Sequence, residues 1–216
     1  MAASAPPPLP ATGPWWCALL RGIGPGNPNM RNEKLRGVVE DLGFSEVASV
    51  ISSGNVIFRA ASDHTDRGLP EHDGGALGSA ARAAAEARIQ AALQDQLGIA
   101  GGTVLRSREE LAALVASAPF GDREHARTSY LTVTFLKDPG AFADPAGAAV
   151  VDALGAPPSS AIQVVGVHGP AGAVLAVTDT TATGSPDVMA WLERRLGKDI
   201  TTRTWRTVER ILAKMP

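Results

Sequence analysis

Residues 47–59 read Val47-Ala48-Ser49-Val50-Ile51-Ser52-Ser53-Gly54-Asn55-Val56-Ile57-Phe58-Arg59. Two runs rich in β-branched residues, Val47–Ser52 and Val56–Arg59, flank Ser53-Gly54-Asn55. A short Gly/Asn link between such runs predicts a β-hairpin. Upstream, Trp15–Leu20 is a short apolar strand, and Arg21 to Pro28 is a Gly/Pro/Asn loop. Between that loop and the hairpin, Leu35, Val38, Val39 and Leu42 recur at i, i+3, i+4 and i+7, the stripe of an amphipathic helix. Asn29 is its expected N-cap. Gly43 before apolar Phe44 is the pattern of a left-handed stop. Downstream of the hairpin, Ser79 is expected to cap an Ala-rich helix that buries Ile89, Leu93 and Leu97 and closes at Gly98. Thr103–Arg106 is a brief strand. Ser107-Arg108-Glu109-Glu110 then forms a capping box, in which serine and glutamate satisfy each other's backbone amides. It opens a helix bearing Leu111, Leu114 and Val115, which Pro119 stops.

The same order follows again. Ser129–Leu136 alternates with period two, placing Leu131, Val133 and Phe135 on one face and Thr132 and Thr134 on the other. An Ala-rich helix is expected at about Pro145–Leu154, and a second hairpin pairs Ile162–Val167 with Val174–Thr178. Ser185-Pro186-Asp187 supplies a cap, a proline at the first helical position and an acid in the first turn. The helix it starts buries Val188, Leu192 and Leu196. Ile200–Thr202 is a short strand, and a last helix, capped by Thr204, carries Trp205, Val208, Leu212 and Met215. Each half therefore reads β-α-β-β-α-β plus one helix, the ferredoxin-like split-βαβ order, present twice. The expected fold is α+β, with two antiparallel sheets and helices on one face of each. The other face is left for its twin or a ligand. The repeat is one of element order rather than of residues.

Composition bounds the rest. The chain has 216 residues, 44% apolar and 19% charged. No apolar run approaches the roughly 18 residues that span a bilayer, and the first twenty residues hold no Lys or Arg, so a soluble, cytoplasmic protein is expected. Residues 1–14, rich in Ala and Pro, read as a disordered tail. Residues 15–122 form the N-terminal half, with an aperiodic Gly/Asp/His insertion at 61–78, and residues 123–216 form the C-terminal half. The single cysteine, Cys17, permits neither an intrachain disulfide nor a thiolate zinc cluster, and its apolar strand makes it a core residue. A net charge of −2 gives no global basic field for nucleic acid. Charge is nonetheless uneven, since Val188 to Pro216 holds seven Lys/Arg against three Asp/Glu.

Three stretches could carry chemistry. The loop Arg21-Gly22-Ile23-Gly24-Pro25-Gly26-Asn27 joins a strand to a helix, where backbone amides can meet an anion. Its spacing matches neither a dinucleotide fingerprint nor a P-loop, and an ordinary tight loop is the plainer reading. In the C-terminal helix Arg206, Arg210 and Lys214 recur every four residues, a ridge for phosphate or RNA or simply a solvated face. His64 and His72 lie among Asp63, Asp66, Glu71 and Asp73 without metal-ligand spacing, so no metal site is expected. No catalytic group can be named, and no cofactor is implied.

Several motifs resemble one family. Ala18-Leu19-Leu20-Arg21-Gly22-Ile23, Leu42-Gly43-Phe44 and Ser53-Gly54-Asn55-Val56-Ile57-Phe58 come in order. Ala118-Pro119-Phe120, Val133-Thr134-Phe135-Leu136, Thr183-Gly184-Ser185-Pro186 and Thr201-Thr202-Arg203-Thr204-Trp205-Arg206-Thr207 follow. Together they are similar to the family catalogued as domain of unknown function 1697, over about Cys17 to Leu212. The resemblance implies a duplicated α+β fold and supplies candidate positions rather than a reaction. Against the family pattern this chain departs at Gly24, Ala118, Pro186, Thr204 and Arg206. It keeps Arg21, Gly22, Ser53, Gly54, Asn55, Thr202, Arg203 and Trp205.

The expected ligand-binding set is Arg21, Gly22, Ser53, Asn55, Thr202, Arg203 and Arg206. Arg21, Asn55 and Arg203 stand at three element ends, and two guanidiniums with an amide would hold a small anionic ligand between the halves. One alternative is a nucleic-acid-binding module using the basic C-terminal helix, against which stands the 5% aromatic content. Another is a protein-interaction or assembly module that uses one sheet face.

Overall fold

The computed structural model describes residues 13–24, 26–52, 54–60, 79–138, 142, 147–182 and 187–216. The tail to residue 12, the insertion at 61–78 with its two histidines, Ser53 and Ser185-Pro186 lie outside the described residues. The first half comprises β1 (Trp15–Leu20), α1 (Asn32–Asp41), β2 (Ser45–Ser49), β3 (Asn55–Arg59), α2 (Ser79–Leu97), β4 (Thr103–Ser107) and α3 (Arg108–Ala116). The second comprises β5 (Ser129–Leu136), α4 (Ala148–Leu154), β6 (Ile162–His168), β7 (Ala173–Asp179), α5 (Val188–Leu196), β8 (Ile200–Thr204) and α6 (Trp205–Ala213). Strand order is β2-β3-β1-β4 in one sheet and β6-β7-β5-β8 in the other, with every pairing antiparallel. This is the duplicated α+β architecture that the element order predicts.

Period-two alternation decides how the layers stack. In β1, Trp16, Ala18 and Leu20 face α1 and α2, joining Leu35, Val38, Ile89 and Leu93 in one buried cluster. Trp15, Cys17 and Leu19 face the other way and join Leu131, Val133 and Phe135 of β5. The face that each sheet leaves bare thus meets its twin, and α3 and α6 close the rim of that central core with Leu111, Leu114, Val208 and Ile211. A third cluster packs α4 and α5 on the outer face of the second sheet through Val150, Leu154, Trp191 and Leu192. Cys17 is fully buried, and burial pushes its thiol up to about 12, so it behaves as a core residue.

Local corrections have physical causes. Asn27, not Asn29, is the cap: its side chain accepts the Asn29 amide and starts a 3-10 turn over Pro28–Met30, after which α1 begins at Asn32 with no side-chain cap. Asn29 instead accepts from Lys34 Nζ at 2.8 Å. Asp187 caps α5 by accepting the Ala190 amide at 2.9 Å. Thr204 occupies the cap position of α6, but its hydroxyl pairs with that of Thr207 at 2.9 Å rather than with a backbone amide. The hairpin strand β2 starts at Ser45, ahead of the expected Val47, because Glu46 adopts a left-handed φ of 50° and a bulge takes up the extra length. Gly13 and Pro14, expected in the tail, already run beside β3 and accept from Arg59 and Ala60. The capping box forms as read: the Glu110 amide donates to Ser107 Oγ at 3.2 Å and the Ser107 amide to Glu110 Oε2 at 2.8 Å. Among the described residues no helix is long and apolar enough to cross a membrane.

Candidate functional site

The fold brings Asn55 and Arg203 into direct contact although 148 residues separate them. Arg203 lies in β8 on the face turned toward the first sheet. Its Nε donates to Asn55 Oδ1, its Nη1 to Thr201 Oγ1 and Thr202 O at 2.8 Å, and its Nη2 to Leu20 O at 2.7 Å. Burial lowers its guanidinium to about 10. Asn55 is 1% exposed and donates to Val50 O at 3.0 Å. All three guanidinium nitrogens of Arg203 therefore have protein acceptors, and what the pair visibly does is join the halves. Arg21 turns aside from it, pairing with Glu193 at 2.5 Å and donating to Lys198 O. Gly22 is exposed with φ 72°. Thr202 shares a hydroxyl contact with Thr134 at 2.7 Å. Arg206 stands exposed on α6 with Arg210, while Lys214 donates to Ser49 O at 2.9 Å. Trp205 packs edge-on against Phe120 at 5.2 Å, as a core residue does. His125 and His168 accept backbone amides through Nδ1. Among the described residues no cluster of His, Cys, Asp or Glu could hold a metal.

A different set of residues lines open space between the halves. A cleft of about 370 Å³ is walled on one side by Arg82 and Glu86 of α2, with Ala80 and Ala83. Lys137 and Asp138, just after β5, and Asp199, just before β8, form the other side. Arg82 is 2% exposed and Glu86 1%. Arg82 Nη2 pairs with Glu110 Oε1 at 2.5 Å, and its guanidinium lies 5.9 Å from the Trp16 ring centroid. Its Nε and Nη1 are buried and have no partner among the described residues. Leaving donors of a buried cation unmet costs more than the hydrogen bonds themselves would contribute. Glu86 accepts the Leu105 amide at 2.8 Å on the free edge of β4. Burial raises its carboxyl above the ordinary range, against the Leu105 hydrogen bond and the nearby charges of Arg106, Lys137 and Arg82.

The strand registers relate this cleft to the junction at Arg21. Leu20 faces Thr103 across β1 and β4 as Leu136 faces Ile200 across β5 and β8, so Lys137 is the counterpart of Arg21. The Arg21 junction is closed by its ion pair to Glu193 of α5. The Lys137 junction holds the cleft.

Arg82 and Glu86 lie outside the expected ligand-binding set, although the sequence carries a signal for them. Arg82, Glu86, Ile89 and Leu93 lie at i, i+4, i+7 and i+11, so the apolar stripe of α2 runs on into two charged residues. Charges on the buried stripe of an otherwise Ala-rich helix mark a position where polarity has a purpose.

The raised Glu86 carboxyl has a pH signature. A group whose folded pKa lies above its unfolded value stabilises fully below the unfolded value, near 4.5 here, and loses that contribution as pH rises through the folded pKa. Glu86→Gln keeps the acceptor for the Leu105 amide and removes the titration. Thermal unfolding from pH 4 to pH 8 should show equal midpoints at the acid end and a widening advantage for the variant above it.

A family model described as "Protein of unknown function (DUF1697)" matches residues 15–72 and 76–163. No curated protein matches the chain. Among solved structures, the conserved bacterial protein SP0830 from Streptococcus pneumoniae superposes with a TM-score of 0.64 at 18% identity, over 94% of this chain and 99% of that one. At that identity the likeness shows the fold alone, and the same two-half arrangement spans both chains.

Proposed function

The chain belongs to the DUF1697 family, and we propose that it binds a small anionic ligand, bearing a carboxylate or phosphate group, in the cleft between its two halves. The observation that carries this reading is the buried Arg82 guanidinium, which lines a cleft of about 370 Å³ and has two nitrogens without a partner among the described residues. A carboxylate or phosphate oxygen offers the acceptor that a guanidinium fork matches. Lys137 adds a second cation on the opposite wall, and the volume lies within the roughly 300–1,000 Å³ of small-molecule sites. Asp199, exposed on the cleft wall, favours a ligand that also carries hydroxyl or amino groups over a bare polyanion. The protein is read as a binder; no side chain in the cleft is placed as a nucleophile or a general base.

A thermal-shift panel of phosphate, sulfate, monocarboxylates and hydroxycarboxylates at constant ionic strength tests this. At a ligand concentration near one hundred times Kd, stabilisation of about 2.7 kcal/mol is expected, a rise of roughly 5–10 °C. Arg82→Met and Lys137→Met should each abolish the rise. If no anion shifts the unmodified protein, or if the Lys137 variant, which leaves the buried Arg82–Glu110 pair in place, responds as the parent does, the reading falls.

A further inference from the structure

The duplication repeats in three residues as well as in element order. Register equates Arg106 of β4 with Arg203 of β8, since Cys17 faces Arg106 as Val133 faces Arg203. It likewise equates Leu20 with Leu136 and, through β3 and β7, Gly54 with Gly172. Arg106 is 0% exposed. Its Nη2 donates to Leu136 O and, at 3.4 Å, to Gly172 O; its Nε donates to Ala171 O at 2.6 Å and its Nη1 to Leu105 O at 2.6 Å. Arg203 repeats the pattern in the opposite direction. Its Nη2 reaches Leu20 O and, at 3.4 Å, Gly54 O, while its Nη1 reaches Thr202 O, the carbonyl preceding it in its own strand. Each half inserts one guanidinium into the carbonyls at the end of the other half's first strand and hairpin. Arg106 is fully buried and Arg203 partly so, and every nitrogen of both is matched to an acceptor, the condition under which burial of such a charge is tolerated.

From this symmetry we infer that Arg106 and Arg203 form a reciprocal clasp between the halves, and that Arg106 is the positioning residue of the cleft. Arg106 ties Leu105 to Leu136. The Leu105 amide is the one Glu86 accepts, and Leu136 immediately precedes Lys137 and Asp138, so Arg106 joins the two walls directly. Arg203 performs the same task beside Arg21, at the junction already closed by Glu193. The clasp stands on geometry alone; its effect on a ligand rests on the anion reading above.

The test compares Arg106→Lys and Arg203→Lys in the full chain. Lysine keeps the charge but loses the planar fan of donors. Each should lower the unfolding midpoint by about 5 °C, the scale of one or two lost bonds to a charged group. Amide hydrogen exchange without ligand should then cross over. The Lys137 amide, bonded to Asp199 O, exchanges at least about tenfold faster in the Arg106 variant, and the Arg21 amide, bonded to Gly102 O, does so in the Arg203 variant. Inorganic phosphate titrated by calorimetry should bind at least about tenfold more weakly to the Arg106 variant and within about twofold of the parent to the Arg203 variant. Equal exchange changes at both ends in both variants, or none in either, would overturn the clasp. Crossed exchange with phosphate affinity lost equally in both would uphold the clasp and remove the positioning role. A parent protein that binds no phosphate would remove the anion reading and the positioning role with it, and leave exchange to decide the clasp.

Discussion

Phe135→Ala is expected to lower the thermal midpoint by about 10 °C, from a cost of about 3–5 kcal/mol. Phe135 is 0% exposed in the core between the two sheets, and its neighbours make the loss hard to repair. Its cross-strand partners are Ala173 and Thr201, both much smaller than the ring, so the strands on either side offer little to fill the space. The ring also lies 5.5 Å from the Arg106 guanidinium, and its loss strips a buried cation of one contact face. Val151→Ala, at a site 44% exposed, should move the midpoint by little more than a degree. Thermal unfolding followed by circular dichroism compares the two directly. Equal shifts would mean that the sheets do not share one core.

Gly54 is expected to be nearly as intolerant. It adopts φ 72°, and a Cβ there would lie 2.5 Å from Ile23 Cγ1 and 3.1 Å from Leu20 Cβ. Gly54→Val combines about 1–2 kcal/mol for a left-handed conformation with about 1–3 kcal/mol for overpacking. The Gly54 carbonyl accepts from the Leu20 amide at 2.7 Å and from Arg203 at 3.4 Å, so backbone movement that relieves the clash also disturbs the clasp. Gly37, inside α1 with nothing within 4 Å of a built Cβ, supplies the opposite sign. Gly37→Ala should stabilise by about 0.5–1 kcal/mol. Chemical denaturation of both variants would show a midpoint moved down in one and up in the other. A Gly54 variant that unfolds with the parent would show that the turn yields freely.

The architecture was legible because its signals are local. The alternation of Ser129–Leu136, the stripe of Leu35, Val38 and Val39, and the capping box at Ser107 each follow from backbone periodicity or amide satisfaction, and each forms where the pattern puts it. The cap expected at Asn29 is displaced because Asn27, two residues upstream, accepts the Asn29 amide itself and starts the 3-10 turn. Asn55 and Arg203 are candidates by their places at element ends, and the fold brings them together. Their donors and acceptors, however, meet each other and the carbonyls of the scaffold, a pairing across 148 residues that no local pattern encodes. The equivalence of Arg106 and Arg203 is carried by strand register and surrounded by unlike sequence, Thr-Val-Leu-Arg-Ser against Ile-Thr-Thr-Arg-Thr, so it emerges only when both sheets are laid side by side. Arg82 and Glu86 were hidden by composition. In an Ala-rich helix, alanines that face solvent look like alanines that face the core, and the buried stripe is easily cut short at Ile89.

An anion placed in the cleft would be the most immediate evidence. Crystals grown in selenate, whose tetrahedral oxygens imitate phosphate and whose selenium scatters anomalously, should show an anomalous peak between α2 and the β5 terminus. Selenate oxygens should stand within hydrogen-bonding distance of Arg82 Nε or Nη1. A cleft without that peak, in a crystal that binds selenate elsewhere, with both Arg82 nitrogens satisfied by protein atoms, would contradict the account.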